Sequence, residues 1–319
     1  MRYRRVSVIG ASGFIGRYVV KRLASRGAVV AAIGRHAEDA AFLRPMGDVG
    51  QVAPVTADLG DEELMRAAIA GSDAVVNLAG ILYEKGGQTF ERVHHEGAAR
   101  VARLARATGV RQLVHISAIG ADPASPSVYA RTKAAGEAAV RAAFPEAVIL
   151  RPSVVFGPED EFFNRFAAMA RVSPVLPLIG GGTMRLQPVY VGDVADAVVK
   201  ALELPEAAGR TYELGGPRVY TFKELMELLL AEIRRKRRLV AISYGLAAFE
   251  ARFLELLPKP PLTRDQVELL KHDVIVHPGA ATLADLGIVP TPVEIILPTY
   301  MDRFRKGGWF DAHRMSRAG

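Results

Sequence analysis

Val6-Ser-Val-Ile-Gly10-Ala-Ser-Gly13-Phe-Ile-Gly16 is the stretch on which the fold turns. A short apolar run enters a glycine-punctuated turn, and the turn opens directly into Phe14–Ser25, whose apolar positions recur with helical spacing. Gly10 permits the tight turn, Gly13 lets backbone approach phosphate oxygens, and Gly16 lets helix and strand pack closely. A helix beginning there aims its free N–H groups at an anion. A lone glycine triplet says little, but strand, turn and helix follow one another here within the first 26 residues. The pattern therefore reads as a dinucleotide pyrophosphate site; the plainer alternative is a glycine-rich turn without a ligand.

Working outward, short apolar runs alternate with helical patterns. Arg5–Gly10, Ala28–Gly34, Gln51–Ala57, Ala74–Gly80, Gln112–Ser117 and Ala147–Val155 read as strands buried on both faces, because they hardly alternate with polar residues. Phe14–Ser25, Glu62–Ala70, Phe90–Ala107 and Tyr129–Ala143 read as the intervening helices. Gly27, Gly71 and Gly109 stand where three of them need a left-handed end. This alternation predicts an α/β fold, a Rossmann-type doubly wound parallel sheet with ligand at the strands' carboxyl ends.

The pattern changes after Gly157, where prolines cluster and Gly180-Gly-Gly182 makes a turn. Arg185–Val191 reads as one more strand, with Asp193 capping a helix over Val194–Leu202. Thr221-Phe-Lys-Glu224 is a capping box opening the helix Phe222–Ile233. The expected division is a NAD(P)-binding domain over residues 1–157, to which the chain returns at about 184–203, and a smaller, mainly helical C-terminal cap over 158–319. Asp160, Glu161 and Asn164 are placed to reach a substrate pocket, although acidic residues at a helix start are expected from the helix dipole alone.

Composition narrows the chemistry. The chain holds 319 residues, half of them hydrophobic, and no cysteine, which excludes disulfides, thiolate nucleophiles and cysteine-held metal. Its formal charge of +7 is local: Arg234-Arg-Lys-Arg-Arg238 supplies five units and leaves 36 basic against 34 acidic residues elsewhere. Without an aromatic-and-basic stripe or a nucleic-acid-binding motif, no nucleic-acid partner is expected. The longest uncharged stretch bearing on a membrane span, Leu239–Phe249, is too short to cross a bilayer, and the short run before Val6 is not expected to be a targeting segment. A cytoplasmic location is the expectation, with contact to the inner face of the cytoplasmic membrane through Arg234–Arg238 as its variant. In that variant Phe249, Phe253, Leu256 and Leu257 share one helical stripe; the plainer alternative is a solvated turn followed by a core helix.

Two further positions concern the nucleotide. The second strand ends Ile33-Gly-Arg35-His36, where NAD-selective sites carry an acid for the ribose 2′-hydroxyl, so NADP(H) is favoured over NAD(H); the alternative is an exposed arginine. Asp58 either accepts from the adenine amino group or caps the helix that starts near Asp61. His94-His95 are adjacent on a helix and diverge by about 100°, so no metal is expected there; they read instead as helix residues beneath the sheet or near the cofactor.

The glycine turn, Asn77-Leu-Ala-Gly80 and Tyr129-Ala-Arg-Thr-Lys133 together resemble the extended and atypical short-chain dehydrogenase/reductase superfamily. Arg151-Pro-Ser-Val-Val-Phe-Gly-Pro158 and Gln187-Pro-Val-Tyr-Val-Gly-Asp-Val194 extend the likeness. Leu43-Arg-Pro-Met-Gly-Asp-Val-Gly50, Ala143-Phe-Pro-Glu-Ala147 and Leu262-Thr-Arg-Asp-Gln-Val267 resemble one branch, that of the nucleotide-binding accessory subunit of mitochondrial respiratory complex I and its bacterial relatives. The resemblance implies cofactor contacts at Gly10, Ser12, Gly13, Phe14, Ile15, Gly16, Arg35, Asp58, Leu59, Leu78, Ala79, Gly80, Tyr129, Lys133 and Pro152. It also implies a catalytic set of Tyr129, Lys133 and Ser117.

Tyr129 and Lys133 are four residues apart and so share a helix face. A nearby cation favours the phenolate, which lets the tyrosine move a proton while hydride passes to or from nicotinamide. Tyr and Lys four apart also occur on ordinary surface helices. The superfamily's polarising hydroxyl falls at Ala118 when aligned by eye; Ser117 is the candidate substitute, although adjacent strand residues point to opposite faces, and Ser125 and Ser127 in the following loop are weaker candidates. Two functions remain open. One is an oxidoreductase or epimerase acting on a small molecule whose identity the sequence does not reveal. The other is a non-catalytic nucleotide-binding factor of a respiratory or quinone-related assembly.

Overall fold

The computed structural model describes residues 3–305. Its strands in chain order are β1 (Arg5–Ile9), β2 (Val29–Gly34), β3 (Val52–Thr56), β4 (Ala74–Asn77), β5 (Gln112–Ile116), β6 (Val148–Pro152), β7 (Val155–Phe156), β8 (Val175–Ile179), β9 (Arg185–Leu186), β10 (Val189–Tyr190), β11 (Thr211–Leu214), β12 (Tyr220–Thr221) and β13 (Arg238–Ile242). The principal helices are α1 (Phe14–Ser25), α2 (Glu62–Ile69), α3 (Gly97–Ala107), α4 (Val128–Ala143), α5 (Phe162–Val172), α6 (Val191–Glu203), α7 (Phe222–Glu232), α8 (Tyr244–Leu254) and α9 (Arg264–Leu269).

The chain forms two compact units. The first holds residues 3–152, 191–214 and 277–289, and is built on a seven-stranded sheet in the order β11-β6-β5-β4-β1-β2-β3. Every pairing in that sheet is parallel. The order reverses at β1, so β1 and β4 diverge to their crossovers and leave a crevice at their carboxyl ends. Ile9, Ile33, Met65, Ile69, Val75, Val101, Leu104, Leu113 and Val140 belong to one buried core joining the sheet to α2, α3 and α4. Helices α1 and α6 pack together and are tied by the Arg22–Asp196 ion pair at 2.9 Å. The Rossmann-type expectation is met. Gly27, Gly71 and Gly109 take positive φ, as their places after helices require.

The second unit holds residues 153–190, 215–276 and 290–305. Its core gathers Phe156, Phe163, Leu176, Phe222, Leu225, Leu229, Tyr300 and Met301. Thr221 caps α7 in the expected capping box. The expected single strand over Arg185–Val191 is instead two short ones, β9 and β10, because Pro188 between them has no N–H for a ladder. Asp193 is not a cap: α6 starts at Val191 and Asp193 lies in its first turn. Asp160 is buried and accepts from Tyr300 Oη at 2.6 Å and from Asn164 N at 3.0 Å. Burial pushes its carboxyl up despite those bonds.

Candidate functional site

The glycine turn has the geometry its spacing demands. Gly10 sits at φ +79°, and a Cβ there would press on the Leu78 carbonyl carbon at 3.2 Å, so the β1 turn and the chain leaving β4 meet backbone to backbone. A Cβ on Gly16 would overlap the carbonyls of Gly10 and Ala11. Gly13 is exposed, and a Cβ on it would meet only the Gly10 carbonyl at 3.2 Å, which leaves its outer side open to an oxyanion. This cradle fits a dinucleotide pyrophosphate. Ser12, Phe14 and Ile15 are half-buried around it. Arg17 folds back, donating to the carbonyls of Ser12 and Gly13, with its guanidinium 5.0 Å from the Phe42 ring centre.

Arg35 lies one residue past β2, exposed and without an ion pair to a carboxylate among the described residues. Asp61 caps α2 through Leu64 N at 2.9 Å, whereas Asp58 accepts from Gly60 N at 2.7 Å within a turn. Of the two readings of Asp58, the cap is thus taken by its neighbour. Leu59 accepts from Arg100 through its carbonyl, and its side chain lies against Gly97.

Beyond β4, Asn77 Oδ1 holds the Ala79 N–H at 3.1 Å. Gly80 passes so close to Lys133 that a Cβ would lie 3.4 Å from Nζ. Lys133 itself is 4% exposed, donates to Ile116 O at 3.4 Å, and lies 5.9 Å from the centre of the Tyr129 ring. Burial pushes its pKa down to about 8, although Glu137 opposes that shift. Pro152 closes β6, its carbonyl accepting from Ile119 N at 3.0 Å. Tyr129, Lys133 and Gly80 are thus brought to one place.

That place has members the sequence analysis did not assign. Residues Glu91–Glu96 form a π-helical turn, which joins α3 where one continuous helix was expected. It turns His94 inward, edge-on to the Tyr129 ring at 5.1 Å and stacked on Phe90 at 5.3 Å. His94 Nε2 accepts from Ile81 N at 3.1 Å, so its other nitrogen carries the proton and faces Thr132 Oγ1. Burial, then the Lys133 charge, pushes its pKa down to about 2. His115, beside Asn77, is pushed down to about 3 by burial and then by Lys133.

Glu137 is the other missing member, and a signal for it existed: positions 129, 133 and 137 form one i, i+4, i+8 row. It is 1% exposed and takes two 2.8 Å bonds from Arg151, with Arg141 at 3.2 Å. Burial pushes its carboxyl up, but those arginines and the Ser117 hydroxyl outweigh burial and hold it below its ordinary value. Ser117 is buried beside Glu137 and makes no hydrogen bond of standard geometry among the described residues. The loop hydroxyls have local work: Ser127 caps α4 through Ala130 N, and Ser125 accepts from Ser127 N.

Residues 6–215 match the NAD dependent epimerase/dehydratase family. The chain belongs to that family. It is 39% identical over 314 residues to the Arabidopsis thaliana protein named NADH dehydrogenase [ubiquinone] 1 alpha subcomplex subunit 9, mitochondrial, covering 95% of this chain and 78% of that one. It is 35% identical over 240 residues to a ceramide reductase of Caulobacter vibrioides, covering 74% and 73%. Among solved structures, DesIV, a dTDP-glucose 4,6-dehydratase from Streptomyces venezuelae with NAD bound, superposes with TM-score 0.71 at 22% identity, covering 94% and 96%. The dehydratase likeness concerns the fold. Family membership makes the site one for a nicotinamide dinucleotide.

The expected cytoplasmic location is corrected by the same comparison. The Arabidopsis relative and its counterparts from Dictyostelium discoideum and Mus musculus are mitochondrial by name. Lack of cysteine could not separate the two, since a matrix also keeps thiols reduced.

Proposed function

We propose that this family member is a nucleotide-holding accessory subunit of an NADH:ubiquinone oxidoreductase-type assembly, with NADP(H) as the nucleotide. The observation carrying the accessory reading is the disposition of hydroxyls around Tyr129. Ala118 has none, Ser117 lies beside Glu137, and Ser125 and Ser127 serve the turn and cap before α4. A carbonyl next to Tyr129 would lack the second donor that helps polarise it. The 39% identity to a complex I subunit supports the same reading.

NADP(H) is favoured because Arg35 stands exposed after β2 with no acid in its place, and Arg17 adds positive charge at the neighbouring turn. Tyr129 and Lys133 then act as a clamp on the nicotinamide ribose. Mass spectrometry of the nucleotide retained on purification tests the reading; NAD(H) in place of NADP(H) overturns the preference. Arg35→Ala should weaken NADPH by about tenfold, which is about 1.4 kcal/mol, and leave NADH unchanged.

A second reading, a reductase using Tyr129 as proton donor, is favoured by the intact Tyr129–Lys133 pair and by the reductase relative. Stopped-flow oxidation of bound NADPH by carbonyl substrates decides between them. Turnover that Tyr129→Phe abolishes would establish the reductase and remove the accessory reading.

A further inference from the structure

Helix α8 is apolar on the side it should not be. Ala247 and Ala251 bury against Val267 of α9, with Tyr244, Ala248, Ile242 and Leu262 around them. The opposite side carries Leu246, Phe249 and Phe253, which are 50%, 62% and 57% exposed, and Leu256 and Leu257 prolong it past the helix end. Phe249 and Phe253 pack edge to face at 5.3 Å, forming one aromatic ridge. An outward helix face normally carries the charges; here Glu250 and Arg252 only flank it. A contiguous exposed apolar patch of this kind marks a binding surface.

The chain leading into α8 states the charge of the partner. Arg234, Lys236 and Arg238 are exposed and form no ion pair with a carboxylate among the described residues, whereas Arg235 and Arg237 donate to the Phe304 and Ala170 carbonyls; β13 then runs about 17 Å to the Ser243 cap of α8. Arg234 ends α7 at φ +54°, the left-handed conformation for which glycine is the unstrained choice, and is the one non-glycine residue with positive φ among those described. A cation thus stands where the backbone would favour glycine. Val240, 43% exposed, stands two residues beyond Arg238 on β13, in the chain between the cations and the helix.

We propose that α8 and the Arg234–Arg238 run form a docking surface for a bilayer bearing anionic phospholipids. The ridge enters the headgroup boundary, and the cations meet lipid phosphates. An uncharged protein groove would match the ridge but not the cations, which is why lipid is the favoured occupant. The inference goes beyond the nucleotide reading and does not depend on it.

Vesicle flotation of the full chain tests it, with phosphatidylcholine vesicles and with vesicles holding about one-third phosphatidylglycerol. The expected result is binding to the anionic vesicles only, weakening with added salt as the screening length shrinks below about 8 Å. Arg238→Gln should weaken it about fivefold, and F249S/F253S about tenfold or more. Arg234→Gly is the control for folding: it removes a cation while relieving the backbone, so binding should fall while the melting temperature holds or rises. Failure to bind anionic vesicles at low salt overturns the proposal, as does equal binding by the variants. Self-association through the same face, abolished in F249S/F253S while vesicles do not bind, would assign the ridge to a second copy and equally overturn it.

Discussion

Helices α4 and α8 are inverted versions of one another. Helix α4 turns a lysine, a glutamate and a threonine inward, so that Lys133, Glu137 and Thr132 are all buried. Helix α8 does the reverse, burying two alanines and showing solvent two phenylalanines. Each spends stability on something other than folding. Buried ionic groups cost desolvation free energy that apolar ones avoid, and exposed phenylalanines forgo the gain of burial. The first pattern is what a ligand site needs, where charge must be held dry and in place; the second is what a docking surface needs.

The sharpest way to break this contrast is at Glu137. Glu137→Ala leaves Arg151 and Arg141 without their shared carboxylate and should cost about 3 kcal/mol in urea unfolding. A change under about 1 kcal/mol would mean the buried charges are not a working unit.

The histidines come next. His94 and His115 are held neutral when folded but bind a proton near pH 6.5 when unfolded, so the unfolded state takes up more protons as the pH drops. Their contribution is complete above about pH 6.5 and is lost progressively toward their folded values. Between pH 7 and pH 5, stability should fall by about 2 kcal/mol for each. His115→Asn should flatten part of that slope; an unchanged slope would contradict the assignment.

Lys133 has the same sign in a higher pH window. Its folded pKa of about 8 lies below that of an exposed lysine, so its charge destabilises the fold at neutral pH and less so as pH rises above 8. Lys133→Met should stabilise the nucleotide-free protein by about 1–3 kcal/mol and abolish dinucleotide binding by calorimetry. A loss of both would show that the lysine serves folding rather than ligand.

The smallest effect belongs to α8. Phe249→Ser together with Phe253→Ser should move the unfolding free energy by under about 0.5 kcal/mol, since neither side chain joins a core. A larger cost, measured by thermal unfolding, would mean the ridge is folded against something and end the inversion.

What was legible in the sequence follows local physics. The phosphate turn was readable because glycine spacing alone specifies where backbone must bend, approach and pack. The Tyr129–Lys133 row was readable because helical periodicity is local. His94 was not, because an ordinary helix puts residues 94 and 95 on diverging faces, and only the π-helical turn aims one of them at Tyr129. The strand over Arg185–Val191 breaks at Pro188, which has no N–H for a ladder and separates β9 from β10. Of the two readings of the helix after Arg238, a core helix and an exposed apolar stripe, each holds for one side, because its partner α9 covers only the face of Ala247 and Ala251.

By itself, then, the sequence determined the alternation of strands and helices, the glycine turn and the spacing of the Tyr129–Lys133 row, since each is specified by residues near one another in the chain. Only tertiary structure decided that Lys133 is dry, that Ser117 lies beside Glu137, and that the ridge of α8 stays uncovered. Burial is a property of what packs from elsewhere. Desolvation, which sets the charge of a lysine and the value of an exposed phenylalanine alike, is therefore fixed by partners far away in the sequence.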